Sequence, residues 1–220
     1  MSVIADIALK ICGITQVDQA VTIASLGVDY LGFICVPSSP RYRDPDTFAT
    51  IRQELCTRLP QPPRTVGVFV NATEMELRAV QEQVQFDVLQ LHGQESAVFC
   101  QEVQHQFPEV QVWKAFRIRD PADLEQVKDY EAIVDGILLD AYHPHLLGGT
   151  GATIDWSILG SFNPKCPWFL AGGLTPNNIS LALQHLSPCG IDVSSGVERS
   201  PGDKDLSLVQ QLITQMGAKP

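Results

Sequence analysis

Eight short runs of β-branched and apolar residues, each closed by a turn signal and followed by a longer amphipathic stretch, recur along the 220 residues. That alternation admits little besides a parallel sheet with helices packed on it. The runs are 8–12, 30–34, 66–70, 87–91, 111–115, 136–140, 167–171 and 190–194. Helix starts stand between them. Asp44-Pro45, Asp120-Pro121 and Thr175-Pro176 each offer a capping side chain followed by proline at the first helical position, and Thr73 with Glu76 forms a capping box. Eight units at spacings of about 21 to 36 residues predict one α/β domain over residues 1–220, a closed (β/α)8 TIM barrel rather than a doubly wound sheet. No Gly-x-Gly-x-x-Gly follows the first run, which removes the main support for a dinucleotide fold.

With 45% hydrophobic and 18% charged residues, the chain has material for one large core that needs no partner to complete it, so a monomer is expected, with a dimer as the alternative. No apolar stretch reaches the roughly 18 residues needed to cross a bilayer, and residues 1–10 lack the charged start and apolar core of a signal peptide. The expectation is a soluble, cytoplasmic protein. Its six cysteines never form a Cys-x-x-Cys pair, so neither a zinc knuckle nor a redox dithiol is predicted. His143 and His145, either side of Pro144, read as solvated loop histidines with no third ligand. A net charge of −10 argues against nucleic acid and anionic membranes as partners. It leaves room for a small anion, because screening beyond about 8 Å lets a few local cations and amides decide affinity.

In a barrel of this kind the chemistry sits where the strands end. The seventh run ends in Ala171-Gly172-Gly173-Leu174 and the eighth in Asp192-Val193-Ser194-Ser195-Gly196. Glycines allow close backbone approach and exposed amides favour anions, so this pair of loops predicts a phosphate site. Alternation along the first run puts Lys10 and Cys12 on one inward face. Cys12 reads either as a small core residue or as a general base whose thiol pKa, about 8.5 unperturbed, the nearby ammonium would lower. Asp140 closes the sixth run and could serve as the matching acid, followed by a loop containing Gly148-Gly149-Thr150-Gly151 that is expected to close over substrate. Arg41, in Pro37-Ser38-Ser39-Pro40-Arg41-Tyr42, is the candidate for gripping a carboxylate by a two-point hydrogen bond.

Nine stretches taken in order resemble one family: Leu9-Lys10-Ile11-Cys12-Gly13-Ile14-Thr15, Gly32-Phe33-Ile34, Ser39-Pro40-Arg41-Tyr42, Val66-Gly67-Val68-Phe69-Val70-Asn71, Leu89-Gln90-Leu91-His92-Gly93, Leu139-Asp140, Gly148-Gly149-Thr150-Gly151, Ala171-Gly172-Gly173-Leu174, and Asp192-Val193-Ser194-Ser195-Gly196-Val197-Glu198. The chain is similar to phosphoribosylanthranilate isomerase. The resemblance implies an Amadori rearrangement of a phosphorylated aminoaldose to the aminoketose in tryptophan biosynthesis, with neither cofactor nor metal. It implies that Cys12 removes the sugar C2 proton, Asp140 protonates the ring oxygen, and Arg41 holds the anthranilate carboxylate. Lys10, His92 and Asp192 are implied as substrate-binding residues, and Gly172, Gly173, Ser194, Ser195 and Gly196 as the phosphate cradle. Cys35, where an aromatic is expected, and Ala152, where a polar residue is commoner, depart from the pattern without touching the acid or base. Another phosphate-binding barrel enzyme, of the indole-glycerol-phosphate synthase or sugar-phosphate epimerase type, and a non-catalytic phosphate-binding barrel are the competing readings.

Overall fold

A computed structural model describes residues 7–140, 156–160 and 162–217. Eight parallel strands close into a barrel in sequence order: β1 (Ala8–Cys12), β2 (Tyr30–Ile34), β3 (Arg64–Phe69), β4 (Val88–Leu91), β5 (Gln111–Arg117), β6 (Gly136–Asp140), β7 (Trp168–Ala171) and β8 (Gly190–Val193). Closure is made by β1 pairing with β8, Lys10 opposite Asp192. The predicted TIM barrel is therefore the fold, with adjusted edges. The third strand starts earlier and stops at Phe69, the fifth continues to Arg117, and the eighth stops before Ser194.

The alternation of strand side chains builds two apolar layers. Leu9, Ile11, Leu31, Leu89 and Leu139 point outward into a core shared with the helices, whereas Val66, Val88, Trp113, Leu138 and Phe169 point into the barrel. At the end where the strands begin, Tyr30, Trp113 and Phe169 form a floor, with ring centroids 5.1 Å, 5.6 Å and 4.4 Å apart. Two glycines make room for those rings. A Cβ added at Gly190 would lie 2.2 Å from the Phe169 ring, and one at Gly136 would lie 2.9 Å from Trp113. Gly190→Ala is expected to overpack this floor and cost about 1–3 kcal/mol. Chemical denaturation should show a lower midpoint with an unchanged slope; an unshifted midpoint would contradict the packing described.

Helices α1 (Val17–Ser25), α2 (Pro45–Arg58), α3 (Glu74–Val84), α4 (Ala97–Gln106), α5 (Ile179–His185) and α6 (Leu206–Gln215) surround the sheet. Asp44 caps α2 through Thr47 N–H with Pro45 at its first position, and Thr73 with Glu76 forms the capping box of α3. Asp120 caps as predicted, but the segment it starts, Pro121–Asp129, is a 3-10 helix. Thr175-Pro176 does not start a helix. It forms a turn in which Thr175 N–H donates to Asn178 Oδ1 at 2.8 Å, and α5 begins three residues after Pro176. The sequence pattern gives no hint of a small antiparallel hairpin after β8, built from β9 (Glu198–Ser200) and β10 (Asp203–Lys204).

Candidate active site

At the end where the strands finish lies a cavity of about 340 Å³ lined by Cys12, Arg41, His92 and Asp140, by Asp192, and by the turns 172–174 and 194–196. Every predicted site residue except Lys10 lines it. Lys10 lies one step deeper on β1, fully buried, and its ammonium donates to Asp192 Oδ1 at 3.0 Å. A larger cavity of about 590 Å³ adjoins it through His92 and is lined by Lys114, Arg117 and Arg119. The smaller one brings together Cys12 and Asp140, the predicted base and acid. The predicted loop 148–151 and His143 and His145 lie outside the described residues.

Cys12 ends β1 and shares with Lys10 the space opposite Gly32, where an added Cβ would be 2.7 Å from Sγ and 3.1 Å from Nζ. The expected lowering of its pKa is not what the structure gives. Burial pushes the Cys12 thiol up, and the pull of Lys10, offset by Asp192, and of Lys204 does not overcome it. The pull of Lys10 is blunted because its charge is already paired: burial works to lower the Lys10 pKa, but Asp192 and Cys12 outweigh it and keep the ammonium charged. Cys12 is therefore a thiol at rest, flanked by the paired ammonium groups of Lys10 and Lys204.

His92 follows β4 and is partly exposed, with Nδ1 3.0 Å from Gln90 Nε2 and Nε2 3.9 Å from Asp140 Oδ2. Burial first, then the charges of Lys10, Lys114 and Arg117, push its pKa down from 6.5 to about 4. At neutral pH it is an uncharged neighbour of Asp140 rather than a salt-bridge partner. Between 6.5 and about 4 the unfolded chain binds a proton that the folded chain refuses, so acidification through that window lowers stability. Denaturation curves at about pH 7 and about pH 5 should show this loss, and His92→Gln should reduce it; an equal loss in the variant would remove His92 from the account.

The two glycine loops meet as predicted. Gly172 and Gly173 adopt φ of 96° and 63°, a region that side chains rarely enter. Asn178 holds the turn by donating to Gly173 O at 2.9 Å, and Ser194 Oγ donates to Cys12 O at 3.0 Å. Gly196 backs directly on Leu174, where an added Cβ would sit 1.9 Å from the carbonyl oxygen. Among the described residues, no cluster of three or more His, Cys, Asp or Glu side chains could hold a metal ion.

Arg41 reaches the cavity but is not an idle cation. Its Nε and Nη2 grip Glu198, with Nε to Oε1 at 3.0 Å and Nη2 to Oε2 at 2.6 Å. The two-point bond foreseen for a ligand carboxylate is thus made, on this edge, to a carboxylate of the protein itself.

A family model described as N-(5'phosphoribosyl)anthranilate (PRA) isomerase matches residues 9–215. The chain belongs to that family. Among the phosphoribosylanthranilate isomerases, that of Rippkaea orientalis (strain PCC 8801 / RF-1) is 53% identical over 208 residues, covering 94% of this chain and 95% of the relative. That of Nostoc punctiforme (strain ATCC 29133 / PCC 73102) is 51% identical over 211 residues, covering 96% and 99%. The phosphoribosyl anthranilate isomerase structure from Thermotoga maritima matches with a TM-score of 0.84 at 34% identity over 96% of this chain and 98% of that one. A phosphoribosyl anthranilate isomerase in complex with reduced 1-(o-carboxyphenylamino)-1-deoxyribulose 5-phosphate matches at 0.82 and 32%, with the same coverage.

Reading the sequence missed Gln90, Lys204 and the role of Glu198. Gln90 is fully buried inside the barrel beside His92. Its inward position follows from β4 alternation, and a polar residue at an inward position of an apolar strand is the signal that could have found it. Lys204 gives no such signal, since it stands in Gly202-Asp203-Lys204-Asp205, which looks like a solvated turn.

Proposed function

We propose that this protein is an N-(5'-phosphoribosyl)anthranilate isomerase of tryptophan biosynthesis, converting the aminoaldose to 1-(2-carboxyphenylamino)-1-deoxyribulose 5-phosphate. The observation that carries this reading is that one cavity holds Cys12, Asp140 and both glycine loops in a chain of this family. Asp140 gives its proton to the furanose ring oxygen, the C1–O bond breaks, and the ring opens to a protonated Schiff base. Cys12, as thiolate, then takes the C2 proton, and the electron pair moves to the C1–N system to give the enolamine that tautomerises to the ketone. Both steps are proton transfers between a fixed side chain and adjacent sugar atoms, the task of a general acid and base held apart. A neutral His92 beside Asp140 suits the acid, because it places no full positive charge against a carboxyl group that must carry a proton.

The 172–174 and 194–196 turns would hold the phosphate through backbone amides, with Asp192 beneath them and the second edge of Arg41 on the anthranilate carboxylate. One domain with a large core of its own needs no partner to complete it, so a working monomer is expected, to be checked by light scattering. The six cysteines are free thiols, as suits a reducing cytoplasm.

Purified protein mixed with freshly made phosphoribosylanthranilate should abolish the anthranilate-type fluorescence of the substrate; a folded protein without turnover would sink the reading in favour of another sugar-phosphate barrel. Gly196→Ala must push the eighth-strand turn away from Leu174. It is expected to raise KM at least about tenfold, the worth of one lost charge-assisted hydrogen bond to phosphate. Steady-state kinetics with an unchanged KM would dissociate this turn from phosphate binding.

A further inference from the structure

Glu198 and Lys204 belong to the β9–β10 hairpin, where they face one another in register. Their side chains are 4% and 0% exposed, and Lys204 Nζ lies 2.7 Å from Glu198 Oε1. A buried pair of this kind is costly to desolvate and weak evidence for stability on its own, so its connections matter more than its charge. Those connections reach three working parts of the mouth. Lys204 Nζ donates to the carbonyl oxygen of Cys12 and, at 3.2 Å, to that of Ser194. Glu198 accepts from Arg41 Nε and Nη2 and from Gly202 N–H at 3.2 Å. The hairpin is fixed to α1 by Gln19, whose Oε1 accepts from Lys204 N–H at 3.1 Å and whose Nε2 donates to Lys204 O at 3.2 Å.

The geometry at Arg41 gives the arrangement its sense. A guanidinium has five N–H groups in a rigid fork. Glu198 occupies the side formed by Nε and Nη2, which leaves the end formed by Nη1 and the remaining N–H of Nη2. Arg41 lines the cavity. It crosses bare backbone to get there, since a Cβ at Gly13 would be 2.7 Å from Arg41 Cδ. Burial works to raise the pKa of Glu198, but hydrogen bonds from Arg41 and Lys204 outweigh it and hold its carboxyl below the usual range. The group that grips Arg41 is thus a permanent anion across the neutral range.

We propose that Lys204 and Glu198 are positioning residues: the buried pair aims the free end of Arg41 at the substrate carboxylate and fixes the carbonyls behind Cys12 and Ser194. The carboxylate part rests on the reading of Arg41 given above. In this arrangement Glu198 sets the direction of Arg41, Lys204 sets the position of Glu198, and the same ammonium ties that direction to the base and to the phosphate turn.

The test uses two probes: reduced 1-(o-carboxyphenylamino)-1-deoxyribulose 5-phosphate, and the same compound without its carboxyl group. Calorimetry on the full chain gives the binding preference between them. Wild type is expected to prefer the carboxylated probe by at least about tenfold, and Arg41→Met to lose that preference. Glu198→Gln, nearly isosteric, is expected to lose most of the preference as well while binding the carboxyl-free probe within about twofold of wild type. A merely structural role would weaken both probes alike, and that outcome would overturn the proposal. So would a Glu198→Gln protein that keeps the preference while Arg41→Met loses it. A wild type with no preference would instead refute the reading of Arg41, and the carboxylate part with it. If thermal melts show Glu198→Gln unfolded, Glu198→Asp serves: it keeps the charge, draws the guanidinium back, and should reduce the preference partially; an unchanged preference there would also overturn the proposal.

Discussion

Cys12→Ser and Asp140→Asn are each expected to lower kcat/KM by at least about a hundredfold, the scale on which one positioned base or acid contributes. Serine keeps the size and place of the Cys12 side chain but is far less acidic than a thiol, so the C2 proton loses its acceptor. Asparagine keeps the shape of Asp140 but carries no transferable proton. The pH dependence separates the two. Because burial holds the Cys12 thiol above its ordinary value, the fraction present as thiolate in the free enzyme is small at neutral pH. The thiolate form of Cys12 grows with pH, but the reaction also needs the proton of Asp140, so the two requirements oppose one another in the wild-type kcat/KM and hold its profile nearly flat through the neutral range. Asp140→Asn, freed of the acid's requirement, should rise with pH at a lower level, and Cys12→Ser should show no such rise. An Asp140→Asn profile that does not rise with pH, with Cys12→Ser as active as wild type, would remove Cys12 from the reaction.

Asp192→Ala is expected to cost about 3–5 kcal/mol of stability, because it leaves the fully buried ammonium of Lys10 without a partner. The cost arises from an uncompensated charge, not from a lost attraction, and the distinction can be measured. Lys10→Met combined with Asp192→Leu removes both charges and fills the space with apolar atoms. That double variant should recover most of the stability while losing activity, since Asp192 lines the cavity and Lys10 neighbours Cys12. Denaturant melts of the two variants decide the matter. A double variant no more stable than Asp192→Ala would show that the pair holds the barrel in some other way.

The barrel was legible because each strand carries its own apolar run, and runs such as Tyr30–Ile34 and Gly136–Asp140 match the structure to the residue. The inward ammonium of Lys10 was legible for the same reason, since alternation of period two needs no tertiary information. What could not be read locally was who meets whom. Arg41 looked like an available cation until a carboxylate 157 positions away took one of its edges. The direction of the Cys12 shift depended on burial and on whether Lys10 was already paired, neither of which spacing encodes. The β9–β10 hairpin escaped because Glu198–Ser200 has no apolar alternation and buries little of itself. It is held by its buried charges.

The aromatic floor of Tyr30, Trp113 and Phe169 makes the barrel a cup, not a tube. The end where the strands begin is filled by rings, so substrate enters and product leaves at the end where the strands finish, the same end for both.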